Sequence, residues 1–213
     1  RLGGILAYQG GETNINNCHN YGNVISNDIS LVTGGIVGIA ENTNGTILNC
    51  INEGEISGNG IKGGIVGVIA GSNWNNATSE INIENCFNKE NINSTNSYAG
   101  GIIGRQGTTA IKNYLYIKNS YNIGNIKGKI SGDIIGEITT DTRTDTKTEF
   151  TNVYYLLEPA IGTGSLTSGE ATLKTEEEIK SQIFVDLLNS NIGTNTDWKK
   201  WKLGSDGYPT FVD

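Results

Sequence analysis

His19 is the only histidine in this chain of 213 residues, so any Ser-His-Asp or Cys-His catalytic arrangement would have to use it. The same place in a recurring sequence pattern is taken further along the chain by Ile51, Phe87 and Tyr121. A position that accepts aliphatic and aromatic side chains indicates packing at the rim of a fold. The sequence therefore predicts no catalysis that depends on histidine.

The three cysteines also share one place in that pattern. Cys18, Cys50 and Cys86 occupy it first, and Ser120 and Val153 occupy it later. An odd number of cysteines at long intervals is no disulfide framework, and no C-x-x-C metal spacing is present. Because free cysteine behaves as a small buried hydrophobe, we expect reduced thiols that face the core. A redox or metal role is the alternative.

Acidic residues are not gathered in a way that suits glycan cleavage. Glycan-cleaving β-helices need carboxylates on one face, either as an acid/base pair or around Ca²⁺. Asp28 and Asp133 instead fall at different places of distant repeats, and most other aspartates lie in a loop or near the C-terminus. No Gly-x-Gly-x-x-Gly or phosphate-binding lysine follows a strand and opens a helix. The sequence predicts no catalytic residue, no metal ligand and no cofactor.

The overall charge argues against two classes of partner. The formal net charge is −7 and the pI is about 4.8, with dispersed Lys and Arg. Nucleic acid and anionic membrane both require clustered basic residues, so neither is an expected partner. No apolar run approaches the roughly 18 residues of a membrane span, which predicts no membrane insertion. The absence of methionine and the start at Arg1 suggest a piece of a longer protein, which we expect to be monomeric.

The chain is organised by a repeat of about 34 residues. The phrase Gly34-Gly35-Ile36-Val37-Gly38 recurs at Gly63 and at Gly100, with weaker copies at Gly3 and Gly132. A second phrase, Ile-x-Asn-Cys, ends at the cysteine position. That position falls at residues 18, 50, 86, 120 and 153, which gives intervals of 32, 36, 34 and 33 residues. A fixed period of this size indicates a repeat architecture.

Each repeat reads as one coil of a solenoid, made of three short strands separated by Asn and Gly corners. A single coil cannot bury its own apolar face, but stacked coils about 4.8 Å apart form parallel sheets in which equivalent side chains align. Isoleucine and asparagine columns should then run through the stack. The predicted fold is mainly β, a right-handed parallel β-solenoid (β-helix) of about five coils with a small C-terminal α+β cap.

Residues 1–157 are assigned to the solenoid and residues 158–213 to a C-terminal capping segment with one helix. Thr175 and Glu178 form a capping-box pattern at the start of that helix. One apolar stripe follows at helical spacing, consisting of Ile179, Ile183, Phe184, Leu187 and Leu188. We expect this stripe to dock on the last coil, because an open solenoid end exposes a sheet edge.

Two polar insertions interrupt the period, and insertions in solenoids often map to loops on a binding face. Gly71 to Glu80 carries Trp74, Asn75 and Asn76, an indole flanked by amides that suits a sugar or a protein patch. These three residues are the candidate binding site. The alternative is a solvated loop in which Trp74 packs against its own coil. Thr139 to Glu149 is the second insertion and contains no apolar residue.

Gly-Gly-Ile-Val-Gly followed by Asn-Cys-x-Asn-x-Gly-x-Ile resembles the GLUG-motif repeats of bacterial surface proteins. Those repeats occur in adhesin-like proteins and beside the protease domains of some immunoglobulin A peptidases. The C-terminal residues Val153-Tyr154-Tyr155, Trp198 and Gly207-Tyr208-Pro209 look like the segment that commonly closes such arrays. The resemblance extends from Gly3 to Phe211 and brings no catalytic residue with it.

The resemblance implies a secreted, non-catalytic module at the bacterial cell surface. Its expected work is adhesion, ligand display or the spacing of another domain, with a host protein or a glycan as partner. The alternative is a carbohydrate-active β-helix enzyme, either a lyase or a hydrolase. Clustered carboxylates in a groove would favour the enzyme, and a smooth polar surface would favour the binding or spacing module.

Overall fold

The protein is a parallel β-solenoid that carries a small helical and β part at its C-terminus. A computed structural model describes residues 1–70, 78–107, 112–139, 145–156 and 171–212. The period-two alternation of buried and exposed residues in its longer strands follows from the alternation of apolar and polar residues in the sequence. Stacking these strands buries one face of every coil.

The first two coils contain nine strands: β1 (Leu2–Gly3), β2 (Leu6–Gly11), β3 (Ile15–Asn16), β4 (His19–Asn20), β5 (Val24–Ser26), β6 (Thr33–Gly34), β7 (Val37–Leu48), β8 (Ile51–Asn52) and β9 (Ile56–Gly58). The next two contain β10 (Lys62–Gly63), β11 (Val66–Ala70), β12 (Thr78–Glu84), β13 (Phe87–Asn88), β14 (Ile92–Ser94), β15 (Tyr98–Gly100), β16 (Ile103–Gln106), β17 (Lys112–Asn122) and β18 (Ile126–Lys127). The remaining elements are β19 (Ile130–Gly132), β20 (Ile135–Ile138), β21 (Asp145–Leu156), β22 (Thr172–Lys174), α1 (Glu176–Ile179), α2 (Gln182–Ser190), β23 (Trp201–Leu203) and β24 (Pro209–Phe211).

Within the described ranges the solenoid makes about four turns, one fewer than the period predicted. The glycine-phrase strands form a five-stranded sheet in the order β1-β6-β10-β15-β19, whereas the third strands form a four-stranded sheet, β18-β14-β9-β5. The fifth repeat contributes β19, β20 and β21 to the stack, and residues 157–170, which follow β21, lie outside the described ranges.

Two stretches expected to be polar loops lie partly in strands. Thr78 to Glu80 begins β12, and Asp145 to Glu149 begins β21, where it pairs in register with Lys112 to Tyr116 of β17. Alternating Thr and charged residues are compatible with a strand whose outer face is solvated. The two insertions therefore lengthen one sheet of the solenoid.

The predicted isoleucine columns are confirmed, except that Ile5 of the first coil is 46% exposed. Ile15, Ile47, Ile83, Ile117 and Phe150 pair in register from coil to coil. Two further columns are also buried. The column of the glycine phrase consists of Ile36, Ile65, Ile102 and Ile134, and the column of the third strands consists of Ile56, Ile92 and Ile126. Each buried aliphatic side chain contributes roughly 1.5–3 kcal/mol before entropy is subtracted, so these columns are the main source of cohesion between coils.

Asparagine columns connect the coils at one corner, as the sequence predicts. The first column consists of residues with left-handed backbone, Asn17, Asn49, Asn85, Asn119 and Asn152, with φ between 44° and 57°. The second consists of Asn20, Asn52, Asn88 and Asn122, whose amides form a continuous chain with N to O distances of 2.7 Å at each step. Asparagine suits both places because it tolerates left-handed backbone and carries a donor and an acceptor.

The second asparagine column explains why the glycine phrase has two glycines. A Cβ added to Gly35, Gly64 or Gly101 would lie 2.4–2.6 Å from the nearest amide atom of Asn52, Asn88 or Asn122, and closer still to a backbone oxygen. In the fifth repeat Asp133 replaces the glycine, and Tyr155 stands in register where the asparagine would be. The glycine and the asparagine are therefore lost together in the fifth repeat, whereas in the other repeats both the asparagine side chain and the backbone oxygen of the next coil exclude a Cβ.

The three cysteines are free, and two of them are fully buried in the core. The Cys86 thiol contacts the carbonyl oxygens of Ile47 and Glu84, and burial raises its pKa well above the usual value. Cys18 is only half-buried, because no coil of the described structure precedes it. The expected inward orientation is thus complete for Cys50 and Cys86 and partial for Cys18.

Lys62 is a buried lysine inside the solenoid. Its side chain is fully buried, and its Nζ atom has no hydrogen-bond partner among the described residues. Equivalent places in neighbouring coils hold Thr33, Ala99 and Ser131. Burial lowers the pKa of Lys62 from 10.5 to about 8. The ammonium form therefore destabilises the fold near neutral pH.

Replacement of Lys62 by methionine is expected to raise the free energy of unfolding by about 1–3 kcal/mol at pH 7, because an unpaired buried charge is removed at similar volume. Between pH 8 and 10.5 the folded chain binds fewer protons at Lys62 than the unfolded chain. The wild type should therefore gain stability as the pH rises through that window, and the advantage of Lys62→Met should shrink. Urea unfolding at pH 7 and 9.5 measures both effects.

The control for this experiment is Lys127→Met at an exposed lysine of β18, which should change stability by less than about 0.5 kcal/mol. A Lys62→Met variant that is less stable than the wild type at pH 7 would contradict the assignment of an unpaired buried ammonium.

The predicted single helix is two short helices. Thr175 and Glu178 form the expected capping box at the start of α1, but the chain turns at Lys180, and Ser181 caps α2 through a 3.1 Å bond from the Phe184 N–H. This second start shifts the buried face, which consists of Ile179, Phe184, Val185 and Leu188. Ile183 is 80% exposed and Leu187 is 36% exposed, so the prediction that they dock was wrong.

The C-terminal segment, residues 171–212, lies along the side of the solenoid. Its buried side chains pack on a column that points outward from the coils, made of Ile51, Phe87, Tyr121 and Tyr154. Phe87 and Tyr121 stack with ring centroids 4.9 Å apart, and Trp201 packs against both rings. At the end of the stack, β22 pairs with β21 of the last coil. The predicted boundary between residues 157 and 158 falls outside the described residues and stays a prediction.

Candidate functional site

The predicted binding residues Trp74, Asn75 and Asn76 lie outside the described residues, so their role stays a prediction. The structure offers a second candidate, a polar groove between the solenoid and the C-terminal segment. We call it the junction groove, and it has a volume of about 430 Å³. It is lined by Asn14, Ile15, Asn16, Thr46, Leu48, Glu84, Thr194, Asn195, Thr196, Asp197 and Trp198. This volume lies within the usual range of ligand sites.

Strands of three successive coils form the floor of the junction groove. Asn16, Leu48 and Glu84 stand in register on the outer face of β3, β7 and β12. Thr46 lies beside them on β7, and its N–H donates to the Asn14 side chain at 3.0 Å. Parallel pairing fixes these backbone positions, so the floor is rigid.

The wall of the groove is the segment from Thr194 to Trp198, and the first asparagine column holds it in place. The Asn49 amide donates to the carbonyl oxygen of Asp197 at 2.8 Å and accepts from the Lys199 N–H at 2.9 Å. The Asn85 amide donates to the carbonyl oxygen of Lys199 at 3.0 Å, and its oxygen accepts from the Trp201 indole at 2.8 Å. The left-handed corner residues thus bind the backbone of the C-terminal segment.

Trp198 is half-buried at the edge of the groove and is oriented by an acidic residue. Its indole Nε1 donates to Glu84 at 3.2 Å, and the other Glu84 oxygen pairs with Lys118 at 2.8 Å. The carboxylate is therefore engaged on both oxygens. One face of an aromatic ring, held in a fixed direction beside amides and hydroxyls, suits stacking against an apolar ligand face and hydrogen bonding around it.

Hydrogen-bonding groups dominate the chemistry of the groove. Three asparagines and three threonines supply neutral donors and acceptors, and Glu84 and Asp197 add acidic side chains. In the part of the chain that the structure describes, no group of three His, Cys, Asp or Glu residues is placed to hold a metal ion. The groove therefore favours an uncharged, hydroxyl-rich ligand over a phosphate or another anion.

His19 occupies the packing position that the sequence predicts. It pairs in register with Ile51 of the next coil, stacks on Tyr21 at 3.6 Å and contacts Glu53 through Nε2 at 2.9 Å. Burial lowers the pKa of His19, and the nearby Glu53 carboxylate acts in the opposite direction. The imidazole thus begins the outward column on which the C-terminal segment packs.

The two aspartates considered as an acid pair belong to different parts of a coil. Asp28 lies in an exposed turn, where its carboxylate accepts from the N–H and the hydroxyl of Ser30 and its pKa falls. Asp133 stands in the glycine column of the fifth repeat, and burial raises its pKa. The coil geometry does not bring them into one register.

A solved structure supports the fold. This chain is similar to a chain from Bacteroides ovatus described as a "putative immunoglobulin A1 protease", with a TM-score of 0.59 and 21% sequence identity. The match covers 93% of this chain and 57% of the other, so this chain corresponds to somewhat more than half of that protein's length. At this level of identity the likeness shows a shared fold.

Comparison with protein-family models gave no match, and no curated protein is detectably similar in sequence. Within the described ranges, the structure contains no helix that is long and apolar enough to cross a membrane.

Sequence reasoning did not find the junction groove, although the sequence contains one sign of it. The sequence places Trp198 in the segment that closes the array and predicts that asparagine columns connect the coils. The asparagine column does make those contacts, with Asn85 donating to Asn49 at 2.7 Å. The sign is the number of asparagine side chains at the corners. Each has both a donor and an acceptor, so it can also bind a segment that runs across the coils.

Proposed function

We propose that this protein is a non-catalytic binding module on the bacterial cell surface, in which a rigid solenoid presents the junction groove to a glycan. The observation that carries the proposal is the groove itself, with Trp198 oriented by Glu84 beside neutral amides and hydroxyls. The surface location and the role in adhesion are what the resemblance to GLUG-motif repeats implies. The solved neighbour supports a repeat module of this kind through its fold.

A glycan suits the groove better than a charged ligand does. A pyranose offers an apolar face for the indole and hydroxyl groups for Asn14, Asn16 and Thr46, all of which line the groove. The acidic side chains Glu84 and Asp197 and the net charge of −7 disfavour polyanions. The partner is therefore a neutral glycan, either free or carried by a host protein.

Trp198→Ala should weaken binding to a neutral glycan about tenfold, because the lost area burial adds to the roughly 0.5–1.5 kcal/mol that an aromatic ring contact is worth beyond it. A glycan array followed by calorimetry on the best ligand measures the loss. Tyr21→Ala is the matched control, because Tyr21 is an exposed aromatic residue outside the groove. Unfolding curves of both variants must match the wild type for the comparison to count.

Three outcomes of that screen would argue against the proposal. Unchanged binding by a folded Trp198→Ala variant would exclude the junction groove as the glycan-binding site. Loss of binding in Trp74→Ala instead would place the site in the insertion that the sequence indicates. Cleavage of polysaccharide or immunoglobulin A by the purified chain would overturn the non-catalytic assignment and favour an enzyme.

A further inference from the structure

The first coil leaves part of the solenoid interior open to solvent. Ile5 is 46% exposed, whereas its equivalents Ile36 and Ile65 in the next two coils are fully buried. Val24, in the third strand of the same coil, is half-buried, whereas its equivalents Ile56 and Ile92 are fully buried. In the following coils, the side chains at the equivalent positions of the repeat are buried in the interior.

The second asparagine column gives this end a hydrogen-bonding polarity. In the second column each amide donates toward the C-terminal coil, as Asn20 does to Asn52, so the acceptor side of Asn20 faces the open end. In the first column the direction is reversed, and Asn85 donates to Asn49 and Asn119 donates to Asn85. At the first coil the Asn49 amide donates to Asn16 at 3.1 Å and not to Asn17, so the first column ends there.

A further coil of the same repeat is complementary to this arrangement. Its second-column asparagine would donate to Asn20, as Asn20 donates to Asn52. Main-chain bonds repeat in the same sense, since Phe87 donates to Cys50 and Ile51 donates to Cys18. The equivalent donor in the first coil is His19, at the same open edge.

We propose that the N-terminal edge of the solenoid, formed by β1 to β5, is a docking edge for one more coil of this repeat, parallel and in register. The occupant is a coil joined to Arg1. A second copy of this chain is a poorer fit, because its C-terminal face is already engaged. There β22 already pairs in parallel with β21 of the last coil.

The experiment adds a copy of residues 33–60 directly before Arg1, so that Arg1 and Leu2 take the places of Ile61 and Lys62. The copy of Cys50 is changed to Ser, which leaves Cys18 as the half-buried thiol. The added coil should slow labelling of Cys18 by a thiol reagent at least tenfold. It should also raise the Tm by about 4 °C or more, because the added coil covers the exposed Ile5.

The control adds the same coil with its copies of Ile36 and Ile47 changed to Ser. This version keeps the length and the amides but lacks the apolar columns, and it should leave Cys18 labelling close to the wild-type rate. If the intact coil and the control coil give equal labelling rates and equal Tm values, the docking edge is refuted.

Sedimentation of the unmodified chain decides between the two occupants. A monomer at about 100 μM with readily labelled Cys18 supports the proposal. A dimer in which Cys18 is protected would overturn it and assign the edge to a second copy.

Discussion

Leu188→Ala is expected to lower the free energy of unfolding by about 2–5 kcal/mol. Leu188 is fully buried in the cluster that joins α2 to the outward column of the solenoid. Truncation leaves a cavity between Phe184, Tyr154 and their neighbours, and these rings are held edge to face at 5.1 Å and cannot collapse freely. The loss should appear in urea unfolding followed by the fluorescence of buried Trp201 and by circular dichroism.

Leu187→Ala provides the matched control, because the adjacent leucine has the same chemistry and points away from the solenoid. Its loss should be below about 1 kcal/mol. If the two variants were equally destabilised, the register of α2 would be wrong. If Leu188→Ala shifted only the fluorescence transition, the C-terminal segment would unfold separately from the coils.

The solenoid was predictable from the sequence because each coil stacks the same residue types on the equivalent residues of its neighbours. A period near 34 residues places Ile47, Ile83 and Ile117 in one column, and the structure pairs them in that register. The asparagine columns followed from the same alignment. Identical residues stacked at one spacing leave little freedom, so sequence periodicity and structural register coincide.

The placement of the C-terminal segment was not predictable from that periodicity. The sequence argument expected it to close the end of the stack, but an apolar column also points outward. Phe87 and Tyr121 point outward and are preceded in the sequence by the inward-facing Cys86 and Ser120. The sequence of a single coil does not show that another segment must bury this outer column. The helix register failed for a local reason, since the second cap at Ser181 restarts the apolar period.

The candidate site depends on this placement and was missed with it. Trp198 contacts Glu84 although 114 residues separate them in the chain, and Asn49 binds the backbone of Asp197 over a separation of 148 residues. No local pattern encodes such contacts. The expected site at Trp74 rested on a break in the period, which marks where a loop departs but not what it contacts.

Asn88→Ala is expected to destabilise the fold by about 3–5 kcal/mol, because it leaves buried polar groups in two neighbouring coils without partners. Asn88 is fully buried. Its amide donates to Asn122 at 2.7 Å and to the carbonyl oxygen of Glu90 at 2.8 Å, and its oxygen accepts from Asn52 at 2.7 Å. Each group that becomes unsatisfied costs about 1–3 kcal/mol. Urea unfolding monitored by circular dichroism measures the total.

Asn91→Ala is the control at an exposed asparagine of the same coil, where the side chain accepts one bond from the Asn125 N–H at 3.2 Å. That change should cost less than about 1 kcal/mol. Asn20→Ala provides a second comparison, because Asn20 ends the column and donates to Asn52 alone among the asparagines. It should cost less than Asn88→Ala. Equal losses at Asn20 and Asn88 would mean that packing against Gly4 and Gly64, and not the amide chain, sets the value of these residues.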